Sequence, residues 1–226
     1  MAIILNIDTA TEIGSVCLAA DGVVLGSRAN KQQRDHAAVI DLFIAELLTE
    51  CGINRGQIEA VAISGGPGSY TGLRVGASTA KGLCYGWEVP LIAVGTLEMM
   101  AGARIGAEDS VSGSLYCPVI EARRLDVFTA LYDKQLHPYM QPGATTLDDH
   151  FLSRYRDQPM EIFGTGMDKC QTLFSGISAW RFIPFECHAS QLVPFSEKAF
   201  REKRFEDLAY FDPFYLKAFY RPGSVT

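Results

Sequence analysis

The sequence lacks the spacings that metal sites require. Its six cysteines, at positions 17, 51, 84, 117, 170 and 187, form no Cys-x-x-Cys pair. Its four histidines, His36, His137, His150 and His188, include no i, i+4 pair. A structural zinc site or a metalloprotease centre needs such clusters. Most of the cysteines fall within apolar runs, the pattern of free buried thiols in a reducing compartment. Long hydrophobic runs are also missing: none approaches the roughly 20 apolar residues of a membrane-spanning helix. The opening residues, Met1 to Asp8, carry no basic cluster and reach an aspartate too early for a secretory leader. These absences together predict a cytosolic protein. Positive charge is in short supply as well. With 20 Lys and Arg against 26 Asp and Glu the net charge is −6, so the chain alone is not expected to grip nucleic acid. Its densest basic stretch, Lys198 to Arg204, is interrupted by Glu202 and preceded by Glu197, which reads as a solvated helix face.

What is present is glycine, concentrated between Ala60 and Gly82. The apolar run Val61 to Ile63 reads as a buried strand. Ser64-Gly-Gly-Pro-Gly68 breaks it, and a helix follows from about Thr71 to Tyr85. Strand, glycine loop and helix can together present free N–H groups to an anion. The spacing, however, matches neither phosphate template. Gly72 is followed by Leu73 where the P-loop requires Lys, and Gly66-x-Gly68 is not followed by a third glycine in place. Two readings stand: a turn that packs a helix close to a sheet, or a phosphate-facing loop. Gly72, Gly76 and Gly82 lower helix propensity but leave one side of the helix flat. That flat side meets either an internal element or a partner.

Around this stretch the pattern predicts strands over 3–7, 15–20 and 23–28, with Asp21-Gly22 as a hairpin turn. A helix is predicted over 36–51, with Asp35 as N-cap, His36 as a capping or packing residue and Gly52 past its end. Its apolar arc is wider than one core-facing stripe needs, so it is deeply buried or shared with a partner. Strands follow over 57–64 and 87–94, and a helix over 97–102. The second half predicts strands over 116–120, 126–132 and 161–163, and helices over 143–154, 169–176 and within 190–206. Glu121 to Arg124 forms a turn. The aromatic stretch Tyr210 to Tyr220 is too apolar to be free and is expected to pack on the body. Two halves that each open with hairpin strands suggest a duplicated α/β fold.

Ile4 to Thr11, the segment around His36, Ser64 to Gly76, Ala80 to Leu83 and Glu121 to Phe128 resemble the bacterial TsaB (YeaZ) family. The match is close over residues 1 to about 100 and patchy beyond. The resemblance implies a two-lobed actin/hexokinase/Hsp70-like (ASKHA) fold with ribonuclease H-like, duplicated lobes. The first lobe would span 1–100 and a more divergent second lobe 101–226, its last helix packing back on the first. It also implies work in the pathway that places threonylcarbamoyl on N6 of the adenosine 3′ of the tRNA anticodon. There the family is a non-catalytic relative of the catalytic subunit TsaD. It binds TsaD together with the ATPase TsaE, pairs with itself when alone, and meets tRNA only through the complex.

The catalytic subunit's His-x-x-x-His motif falls here at Thr96 and Met100, which cannot supply two imidazoles to a metal. No catalytic residue and no metal are expected, and ATP or ADP only at a shared interface. The implied partner interface is Val39, Leu42, Phe43 and Leu47 on the first helix with Leu73, Gly76, Thr79 and Ala80 on the glycine helix. Asp8, Thr9, Gly65, Gly164 and Gly166 form the candidate degenerate nucleotide site. Two other classes stay open. One is an ASKHA-type phosphotransferase or hydrolase acting alone, using Asp8 and the glycine loops for phosphates. The other is a tRNA-binding module contributing Lys or Arg to a composite surface.

Overall fold

The computed structural model describes residues 2–30 and 36–216. It contains two five-stranded sheets of the same order. The first runs β3-β2-β1-β4-β5, built from β1 (Ile3–Asp8), β2 (Gly14–Ala20), β3 (Val23–Asn30), β4 (Ile58–Ser64) and β5 (Leu91–Val94). The second runs β10-β9-β6-β7-β8, built from β6 (Leu115–Glu121), β7 (Asp126–Tyr132), β8 (Pro138–Thr146), β9 (Met160–Phe163) and β10 (Trp180–Ile183). In each, three antiparallel strands are followed by two parallel ones. The helices are α1 (His36–Glu50), α2 (Tyr70–Trp87), α3 (Thr96–Ile105), α4 (Met167–Phe174) and α5 (Val193–Arg201).

The apolar pattern explains this layering. A strand buried on both faces reads as a continuous apolar run, and β1 is buried throughout. Its odd residues, Ile3, Leu5 and Ile7, join an outer core with Ile40, Ile44 and Leu47 of α1 and Ala77, Ala80 and Cys84 of α2. Its even residue Ile4 joins a middle core with Leu97 and Met100 of α3, Tyr116 and Phe128 of the second sheet, and Ala199 of α5. The helix leaving each lobe packs against the other lobe: α3 against β6 and β7, α5 against β1 and β5. The Asp21–Gly22 hairpin has positive φ at both residues, 48° and 80°, as its primed turn demands.

Several expectations are corrected. Residues 138–146 form β8, where a helix was predicted over 143–154; only a 3-10 turn at Ser153–Tyr155 follows. Its ladder to β7, from Asp126↔Thr146 to Tyr132↔Pro138, supplies backbone partners that local propensity cannot reveal. The fifth strand starts at Leu91 because Trp87 still belongs to α2 and Glu88 caps it in a left-handed conformation. Strand β10 was not predicted. The last helix falls within the predicted 190–206, as α5 ending at Arg201, with a 3-10 turn at Ala189–Leu192 before it. The tail packs on the body as far as it is described, with Leu216 against the middle core. Residues 217–220, Asp35 and the His36 side chain lie outside the described residues.

Candidate functional site

The glycine loop and the β1–β2 turn fit into each other. A Cβ on Gly68 would run into Ala10, and one on Gly72 or Gly76 would run into Thr9. Thr9 Oγ1 donates to the Gly72 carbonyl (2.8 Å), and Ser69 N–H donates to the Ala10 carbonyl (2.7 Å). Asp8, fully buried at the end of β1, accepts through Oδ1 from Ser64 Oγ (2.5 Å) and from Ala10 N–H (3.1 Å). The flat side of α2 at Gly72 and Gly76 is thus filled by the chain's own β1–β2 turn. Gly76 is therefore a packing residue and not part of a docking face.

The loop amides are engaged in the same way. Gly65 N–H donates to the Val94 carbonyl (2.7 Å) and Gly66 N–H to Thr96 Oγ1 (3.1 Å). In the second lobe Gly164 (φ +108°) would bring a Cβ within 2.5 Å of Met100 and of the Val119 carbonyl, while Gly166 N–H donates to that carbonyl (3.0 Å). Lys169 Nζ reaches the Arg124 carbonyl (2.5 Å) and Glu121 (2.9 Å), fastening the β6–β7 turn to α4. Thr96 and Met100 are both fully buried, one holding the glycine loop and the other filling the core under Gly164. Cys187, buried in the middle core and hydrogen-bonded to Thr11, has its thiol raised well above its ordinary value by burial first and by Asp8 next. The structure thus places Asp8, Thr9, Gly65, Gly164 and Gly166 at two closed loop–turn joints. A nucleotide's phosphates need inward-pointing free amides, and Gly65, Gly66 and Gly166 have turned theirs onto the chain itself.

The other predicted surface divides by helical phase. Leu47, Leu73 and Ala80 are buried against the first sheet and, with Gly76, are core residues. Val39, Phe43 and Thr79 are half-buried, and Leu42 is 54% exposed. Between α1 and α2 runs an open groove of about 590 Å³, lined chiefly by Ile44, Ala45, Leu48, Thr79, Leu83 and Trp87, with Gly82 at its edge. A Cβ on Gly82 or Gly86 would meet nothing within 4 Å. The outward small residues of α2 are therefore Ser78, Gly82 and Gly86. Ala45, Leu83 and Trp87 were missed by the sequence reading. On α2 the signal for Leu83 and Trp87 was their place at the edge of the stripe formed by Leu73, Ala77, Ala80 and Cys84, all of which are buried.

Among the described residues no group of three His, Cys, Asp or Glu side chains could hold a metal ion, and no helix is long and apolar enough to cross a membrane. The profile of the family described as TsaD: tRNA N6-adenosine threonylcarbamoyltransferase matches residues 23–211. The tRNA threonylcarbamoyladenosine biosynthesis protein TsaB of Escherichia coli K12 is 39% identical over 131 residues, 58% of this chain and 55% of the relative. The protein of the same name from Bacillus subtilis is 30% identical over 167 residues, 73% of this chain and 71% of the relative. The matching stretch thus spans only about half the length of the E. coli relative. A crystal structure from Pseudomonas aeruginosa, described as an uncharacterized protein with similarity to peptidase YeaZ, shares the fold. It has a TM-score of 0.81 and 22% identity, and the match covers 96% of this chain and 100% of that one. With its duplicated two-lobed ASKHA-like fold and these relatives, the chain belongs to the TsaB (YeaZ) family, within the wider family of the threonylcarbamoyltransferase TsaD.

Proposed function

We propose that the chain is an accessory subunit of tRNA N6-threonylcarbamoyladenosine modification that docks on TsaD and does not itself catalyse the transfer. The observation that carries this reading is the α1–α2 groove, an apolar surface flanked by the small outward residues of α2. Small residues let a partner helix approach closely, and exposed apolar surface rewards it. The names of the E. coli and B. subtilis relatives assign those proteins to threonylcarbamoyladenosine biosynthesis. In this reading the protein works in the cytoplasm, TsaE joins the pair, and tRNA is reached only through the complex. Two copies meet through the same face when TsaD is absent, as an isologous pair. ATP or ADP belongs to an interface shared with the catalytic subunit, because the Gly65, Gly66 and Gly166 amides serve internal bonds.

The test is Leu42→Glu and Gly82→Glu, each assayed by calorimetry against TsaD and by tRNA modification in the reconstituted system. Each change is expected to weaken binding at least about tenfold, since a buried unpaired charge opposes association. Circular dichroism should stay unchanged. Wild-type affinity in both variants would sink the reading.

A further inference from the structure

Residues 205–216 follow α5 and cross the first lobe without forming a helix or a sheet strand. Their one ladder contact is an isolated antiparallel bridge between Glu206 and Leu91, with Glu206 N–H donating to the Leu91 carbonyl (2.9 Å). β5 is the edge strand there. Further along, Lys81 Nζ donates to the carbonyls of Ala209 (3.3 Å) and Phe211 (3.0 Å). Phe214 N–H then donates to the Gly65 carbonyl (2.7 Å). At that point a Cβ on Gly66 would lie 2.6 Å from the Phe214 carbonyl oxygen, and Gly66 holds φ +105°. A bare left-handed residue marks close approach of another backbone. Leu208 and Phe211 sit on the outer core, Pro213 is buried, and the Tyr215 ring lies 5.1 Å from that of Tyr70.

The grip is thus directed at main-chain groups, with a few apolar seats. Sheet edges and grooves take up extended peptides in this way. The segment can leave without unwinding either sheet, and Tyr210 and Phe214 already stand 85% and 50% exposed. We propose that the β5 edge, the Gly65–Gly66 turn and Lys81 form a peptide-binding groove that the chain fills with its own residues 205–216. This does not depend on the docking of α1 and α2.

The experiment uses the full chain with a specific protease site placed at the Arg204–Phe205 junction, folded and then cut. After the released segment is washed away, a fluorescently labelled synthetic peptide of residues 205–216 should bind saturably. Binding to the uncut protein should be at least about tenfold weaker, because the tethered segment competes at high effective concentration. Lys81→Met should weaken binding to the cut protein. A cut protein with unchanged circular dichroism that ignores the peptide overturns the proposal. If cutting unfolds the lobe, hydrogen exchange on uncut Lys81→Met decides. The Glu206 and Phe214 amides should exchange at least about tenfold faster while the β1 amides keep their protection. A uniform change, or none, overturns it.

Discussion

The two lobes repeat one sheet but dress its outer face differently. In the first, β3 leads into α1 of fifteen residues, which lies beside α2 of eighteen. In the second, β8 is followed before β9 only by the short turn at Ser153–Tyr155, and α4 has eight residues. An aromatic group packs there: Phe151 stacks on Phe174 (5.4 Å), and both meet the Trp180 ring edge-on, at 6.4 and 5.7 Å. The first lobe keeps an apolar groove between α1 and α2, whereas in the second the aromatic group borders a pocket of about 430 Å³ lined by Tyr139, Asp148, His150, Phe151 and Arg154 among others.

The largest break in this comparison should come from the second lobe's buried charges. Glu161 is fully buried and accepts from Arg104 Nε (2.5 Å), Arg181 Nη1 (3.1 Å) and Val111 N–H (2.9 Å). Arg104 sits on α3, so this cluster ties the interlobe helix to β9. Glu161→Ala leaves the arginine buried without its main partner and should cost about 3–5 kcal/mol in urea denaturation. Because α3 also carries the middle core, both lobes should lose stability in one transition. Separate transitions would show that they fold independently.

A smaller effect sharpens the first lobe's inside from its outside. Gly76→Leu forces a side chain into Thr9 and should destabilise by about 1–3 kcal/mol. Gly82→Leu points into open space and should leave stability equal or raised by up to about 1 kcal/mol, since glycine is a poor helix former. Equal losses at the two sites, measured by thermal melts, would contradict the inward and outward assignment.

The smallest effects concern the thiols. Burial raises Cys17 and Cys117 to about 12 and Cys84 to about 11, from an ordinary 9.0. The folded state holds these thiols protonated, so their contribution is complete below pH 9 and is lost as pH rises towards 11–12. The melting temperature should fall across that window, from cysteines of both lobes. At neutral pH, alkylation should reach half-buried Cys51 of the first lobe before Cys117 and Cys170 of the second, which are both buried. Mass spectrometry of briefly treated protein reads this order.

Much of the fold was legible because its signals are local. Ile3 to Ile7 and Val61 to Ile63 are apolar runs of strand length, Asp21-Gly22 is a turn by its own backbone preferences, and the glycine-rich stretch announced a close approach. β8 and β10 were not legible. Pro138 to Thr146 is half polar with a glycine and two prolines, and Trp180 to Ile183 is four residues long. Their partners, β7 and β9, lie elsewhere in the sequence and supply the ladder.

The candidate docking surface was legible in its helices and only partly in its residues. Leu42, Val39, Phe43 and Thr79 keep some exposure, whereas Leu47, Leu73, Gly76 and Ala80 turn inward. Composition and periodicity by themselves determined that there would be a glycine-notched helix and an over-apolar one. Which glycines face in was decided by Thr9 and Ala10, some sixty residues away. The side of a helix that is buried depends on which backbone arrives against it, and that arrival is a property of the folded chain.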